Sequence, residues 1–253
     1  MRKALGFLIL MCVACIVSLY GQTAGERPVV RIYAGDQPPL ITENGGIVKL
    51  VTVEALKRGG YTPVVEFLPI GRMLKLLERD SLDVYITPTN TAAQHNPHVL
   101  FLAAKGVFFF LKANAPSSPV TKLEDLAGKK VGTVTNSPLR VMFEKAGIIV
   151  DEGPFETMFQ KLAAGRVDFV STADVGGLLT INGQFPGRER EFDFTEFSYT
   201  TIGAGLYAKP GPEGEAILEA ARKGFSLMKW DGTLSRMLLE AFGKEYSSRV
   251  FVY

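Results

Sequence analysis

Apolar and polar positions alternate between two periods along the chain. Residues 29–34 form a short apolar run of strand length. Residues 47–58 place apolar side chains at 47, 50, 51 and 55, a helical spacing, and stop at Gly59-Gly60. Residues 64–68 predict a second strand. Residues 72–78 predict a helix with Met73, Leu74, Leu76 and Leu77 turned inward, and residues 82–86 a third strand. This β-α-β-α-β order implies a mainly parallel sheet wrapped by helices.

A similar run begins near residue 120. Thr121 and Glu124 have the spacing of a capping box for a short helix ending at Gly128. Residues 130–134 predict a strand. Ser137 stands as the cap of a helix with Pro138 at its first position. Residues 156–164 predict a helix closed by Gly165. Residues 168–171 predict a strand, with helix again from Ala173. Leu77, Leu82, Asp83 and Thr87 match Leu162, Val167, Asp168 and Thr172 in type and spacing, at a constant offset of 85. The two runs therefore read as two lobes of one architecture. Residues 107–111 and 204–208 are apolar strands, each followed by a proline-rich or small-residue stretch. Two such connectors make a hinge and return the chain, with helices near 213–228 and 234–242, to the first lobe. The expected division is residues 25–113 with 207–253 as lobe 1 and 114–206 as lobe 2.

The N-terminus changes the setting. Arg2 and Lys3 precede an uncharged apolar run from Ala4 to Tyr20, followed by small and polar residues to Gly25. This is the layout of a secretory signal peptide, here residues 1–24, with a periplasmic or extracellular product expected. A spanning helix would need ~20 apolar residues. Cys12 and Cys15 are the two cysteines and both lie in this segment. Lipid anchoring at Cys15 is the alternative, disfavoured because the apolar run continues past it. Loss of residues 1–24 removes Arg2 and Lys3 and no acid, so Lys+Arg falls from 28 to 26 against 26 Asp+Glu. A neutral chain without a basic run argues against a nucleic-acid partner.

Certain segments then resemble the type II periplasmic binding proteins, in particular the solute-binding family of polar amino-acid ABC transporters (bacterial extracellular solute-binding protein family 3). They are Gly35-Asp36-Gln37-Pro38-Pro39, Leu68-Pro69-Ile70-Gly71-Arg72 and Leu123-Glu124-Asp125-Leu126-Ala127-Gly128-Lys129-Lys130-Val131-Gly132. Leu162-Ala163-Ala164-Gly165-Arg166-Val167-Asp168 and Asp231-Gly232-Thr233-Leu234 extend the match over nearly all of the mature chain. The resemblance implies two Rossmann-like lobes joined by a two-strand hinge. It implies a monomer that captures a small polar ligand, amino-acid-like or another small organic molecule, for an ABC permease, with no catalytic residues, cofactor or metal.

In open α/β sheets, ligands sit beyond the carboxyl ends of the strands. That rule nominates Asp36 and Gln37, Ile70 and Arg72, Thr87 and Asn90, Ser137, and Asp174. Ser137 would add free N–H groups at a helix start. In the resembling family the position of Asp174 meets the ligand's amino group. Where that family carries an arginine for the ligand carboxylate, this chain has His95, which lacks the bidentate fork. Ile70 stands where an aromatic platform is usual. A standard α-amino acid is therefore in question, with Arg72 left as the candidate anion partner. The ligand expected on these residues has an anionic or strongly accepting group with a donor set apart from it. His95 and His98 lack further ligands at metal spacing. Phe108-Phe109-Phe110 reads as a buried hinge strand, and Trp230 as core or interface. No nucleotide or hydrolase motif is present. A secreted enzyme on the same fold, or a ligand-sensing partner of a membrane receptor, is the alternative.

Overall fold

The computed structural model describes residues 26–89, 95–135 and 137–253. The first half opens with β1 (Val29–Gly35), α1 (Ile47–Arg58), β2 (Thr62–Leu68), α2 (Ile70–Glu78) and β3 (Val84–Pro88). β1 pairs in parallel with both β2 and β3. The second half repeats the plan: β5 (Lys130–Val134), α3 (Arg140–Lys145), β6 (Ile149–Gly153), α4 (Phe155–Ala163), β7 (Phe169–Ala173) and α5 (Asp174–Gln184). β5 pairs in parallel with β6 and β7. The Asp83 and Asp168 of the echo end up in different jobs. Asp83 pairs with Lys209 at the surface, whereas Asp168 accepts the Lys130 N–H at 2.8 Å and ties β5 to the turn before β7.

β4 (His98–Leu111) runs through both halves, and β9 (Thr200–Ala208) starts opposite its Gly106 and runs back into the first half between β3 and β4. The strand order is β2-β1-β3-β9-β4-β7-β5-β6. β4 is longer than its apolar stretch predicts, because it begins at His98. Its first part pairs antiparallel with β9 and its second part with β7. Gly106 is the handover residue, aligned with both Thr200 and Ala173. A Cβ there would sit 2.8 Å from the Tyr199 ring, so the close approach requires glycine. β8 (Phe192–Phe194) and β10 (Phe251–Val252) also pair with β4.

Side chains of a strand alternate between faces, and the Phe108-Phe109-Phe110 run uses this to feed two cores. Phe108 packs with Phe143, Phe169 and Tyr199 on one face, and Phe109 with Phe159 and Phe194 on the other. In the first half, the larger core lies between the sheet and α1, α6 (Pro212–Trp230) and α7 (Thr233–Ser247). A smaller one holds Met73, Leu77, Tyr85 and Tyr207 on the opposite face.

Local details depart from the sequence expectation in three places. The box near residue 121 is built on Asp125, whose carboxylate accepts from Thr121 and Lys122, and not on Glu124. Ser137 caps a turn, its Oγ accepting the Leu139 N–H at 3.3 Å, and α3 starts only at Arg140. Trp230 is 87% exposed at the end of α6, so it is not core. The Asp231-Gly232-Thr233 motif is a helix–helix turn. Gly232 takes φ 78°, and Asp231 caps Thr233 N at 2.9 Å while pairing with Arg58 of α1.

Candidate functional site

A cleft of about 480 Å³ lies between the two halves. It sits where the parallel strands end, at Asp36-Gln37 after β1, Pro88 at the end of β3, Thr135 after β5, Pro154 after β6 and Thr172-Ala173 at the end of β7. Chain direction alone explains this. Within each half the parallel strands leave their last carbonyls and following loops at one edge. The halves run in opposite directions, since β3 and β7 are antiparallel through β9 and β4, so the two edges face each other near residues 102–106. The cleft wall is mostly apolar, with Leu102 and Ala104 of β4 and Ile202 and Ala204 of β9 at the crossing. An apolar wall with a few placed polar groups suits a small organic ligand.

The loop after β1 is held in shape from within. Gln37 and Ile41 exchange both backbone hydrogen bonds, at 2.7 and 3.1 Å, which fixes Pro38 and Pro39 against the cleft. The opposing wall carries Phe155 and Glu156 in the first turn of α4. A carboxylate there is also favoured by the helix dipole. Within the lining, the Ser171 and Tyr199 hydroxyls lie against each other, and neither finds a well-formed hydrogen-bond partner. Burial pushes the Tyr199 phenol above its ordinary value.

Of the residues nominated by sequence, Asp36, Gln37, Ile70 and Ser137 line this one cleft. Arg72 is exposed on the first turn of α2 and does not line it. Thr87 is buried within β3, aligned with Gly205 of β9. His95 is exposed and away from the lining. Asn90 lies outside the described residues. His98 bonds the Asn96 carbonyl at 2.8 Å through Nδ1 and packs on Tyr207. Among the described residues no cluster of His, Cys, Asp or Glu is arranged for a metal ion. The sequence argument missed Glu156 and Tyr199. Glu156 follows Pro154-Phe155 after a strand, a signal the strand-end rule would have caught. Tyr199 approaches from the start of the return strand, which no motif marks.

The N–H groups at Ser137 already have a partner. Ser137 N donates to Glu152 Oε1 at 3.2 Å, and Glu152 also pairs with Arg140 at 3.0 Å. Asp174 begins α5 but does not line the cleft, and it is only 3% exposed. Its carboxyl accepts the Val175 N–H at 2.8 Å and the Lys105 N–H, with Arg249 and the Lys105 charge nearby. Burial still lifts it above the usual carboxylate value. The folded chain therefore holds this proton to a higher pH than the unfolded chain. Between the two pKa values the unfolded state binds fewer protons, so stability falls as pH rises, and above both the loss is complete. Asp174→Asn, which keeps an acceptor for Val175, is expected to raise the melting temperature at pH 7–8. The gain should shrink below pH ~4, where the unfolded carboxyl also protonates. Thermal unfolding at several pH values checks this, and a gain independent of pH would refute it.

No family model matches the chain, and no curated protein matches it by sequence. Solved structures do. An ancestral arginine-binding protein bound to arginine is 26% identical, with a TM-score of 0.66 over 86% of this chain and 100% of that one. The substrate-binding protein of an amino-acid ABC transporter is 14% identical (TM-score 0.64, 85% and 100%). A histidine-kinase sensor domain similar to periplasmic binding proteins is 20% identical (TM-score 0.67, 86% and 97%). The chain thus has the type II periplasmic-binding-protein fold, and its structural neighbours, amino-acid-binding and ABC substrate-binding proteins rather than enzymes, are consistent with solute-binding family 3.

Proposed function

We propose that the chain is an extracytoplasmic, non-catalytic solute-binding protein that captures a small polar solute by closing two lobes on it and delivers it to an ABC permease. The lobes are residues 25–113 with 207–253, and residues 114–206. The observation that carries this reading is the cleft itself, lined by strand-end loops of both halves and spanned by two strands. A ligand held there touches both halves, so it favours the closed arrangement by its extra contacts. Asp36, Gln37, Ile70 and Ser137 are assigned to ligand contact. The charged start and apolar run of residues 2–20 support export, and no helix of the described residues is long and apolar enough to cross a membrane. Sensing by a membrane receptor is the second reading, favoured by the sensor-domain neighbour. Permease reconstitution separates the two.

The test is direct. Native mass spectrometry of protein purified without denaturation identifies a retained solute. Small-angle scattering is then expected to show a smaller radius of gyration when that solute is added back to stripped protein. A profile unchanged at saturation would rule out a closing clamp.

A further inference from the structure

The charge of the cleft narrows the solute. Its charged lining residues are Asp36 from the first half and Glu156 from the second. Neither is in an ion pair with another described residue. Among the described residues no Lys, Arg or His lines the cleft, and the internal residues 90–94 and 136, outside that set, include none in sequence. Arg140 is paired with Glu144 and Glu152, and Lys130 and Lys161 with Asp151; Arg72, two residues from Ile70, and Lys105 and Arg249, whose charges bear on buried Asp174, do not line the cleft. A carboxylate on the solute would meet no countercharge among the lining residues, and transferring an unpaired charge from water is costly. The amide of Ser137, the helix-start group nominated from sequence for an anion, is filled by Glu152.

A cation meets the opposite conditions. Glu156 stands beside Phe155 in the lining; a carboxylate next to an aromatic ring is a favourable setting for an ammonium or guanidinium. A second observation also points to a ligand. Ser171 is 7% exposed, lines the cleft, and its hydroxyl lacks a well-formed partner, as does that of Tyr199. Buried hydroxyls left this way call for a further partner, and the Ser171 hydroxyl lies where a hydrogen-bonding guest in the cleft can supply one. We propose that the cleft takes a cationic amine or guanidine on an apolar body, without a free carboxylate. This deepens the capture reading and rests on it.

Matched pairs that differ by one carboxyl group provide the test: cadaverine and lysine, agmatine and arginine, phenethylamine and phenylalanine. Calorimetric titration should find at least one amine binding, and each binding amine at least tenfold tighter than its amino acid. Asp36→Asn and Glu156→Gln should each weaken that amine at least tenfold. Both residues are exposed, so the ligand-free melting temperature should change little. The proposal is overturned if an amino acid binds as tightly as its amine, if none of the three amines binds at millimolar concentration, or if both variants bind unchanged. Scattering tells the two failures apart. Compaction by a carboxylate solute would leave capture standing and remove the cationic assignment. No compaction with any of these solutes or with the co-purified one would remove both.

Discussion

Gly224→Val is expected to destabilise the chain by roughly 3 kcal/mol or more. The reason is a contact between α1 and α6. A Cβ on Gly224 would lie 3.0 Å from the Ala55 Cα, 2.7 Å from its carbonyl carbon and closer still to the oxygen. These are backbone atoms of α1, which is itself packed against the sheet through Val51, Ala55 and Leu56. No rotamer change relieves the overlap; the helices must separate and open the main core of the first half. Even Gly224→Ala should be destabilising, although alanine is worth about 1 kcal/mol over glycine in a helix interior. Gly183 of α5 is the control. A Cβ there meets nothing within 4 Å, so Gly183→Ala should stabilise by up to ~1 kcal/mol. A 3 kcal/mol loss corresponds to a fall of about 6–12 °C in melting temperature for a chain of this size. Equal effects at positions 224 and 183 would refute the packing argument.

The second large effect belongs to Phe109 and Gly177. Phe109 is fully buried, with ring centroids 5.3 Å from Phe159 and 5.2 Å from Phe194. Phe109→Ala is expected to cost about 3–5 kcal/mol through lost burial and the cavity left behind. Gly177 of α5 lets the helix rest on that ring. A Cβ would come within 2.9 Å of Cδ2 and nearer to two other ring atoms. Gly177→Ala alone should therefore destabilise, and in the Phe109→Leu background it should destabilise less. Denaturant unfolding of the four proteins in a double-mutant cycle measures the coupling. Strict additivity would mean that the helix does not ride on the phenylalanine.

The two-lobed plan was legible because it is written in periodicity. Runs such as 47–58 and 64–68 declare their period within a few residues, and Gly59-Gly60 marks a stop. Part of the cleft was legible too, since Asp36, Gln37, Ile70 and Ser137 follow from chain direction in a parallel sheet. What could not be read was side-chain orientation. Arg72 and Ile70 are two residues apart on one helix, yet only Ile70 reaches the cleft. Nor does local sequence reveal that Glu152 claims the Ser137 amide, because that pairing joins β6 to the loop after β5. Trp230 misled for a different reason. Its size argues for burial, but the exposed end of α6 offers no neighbour to bury it.

The position of β9 bears on the order in which the chain can fold. β9 lies between β3 and β4, pairing Thr87 with Gly205 and His98 with Tyr207. The first half therefore lacks a central strand until more than two hundred residues of the chain are available. The second half needs only the β5–β7 run for its parallel sheet. Contacts this distant in sequence form slowly, because a long loop must close before they repay its entropy. During synthesis or translocation from the N-terminus, the earlier half is thus the later to be completed, and β3 presents an open edge meanwhile. Unpaired edges invite association with other chains. A holding factor that keeps the nascent N-terminal half apart from its neighbours would benefit this topology more than one that acts on the finished protein.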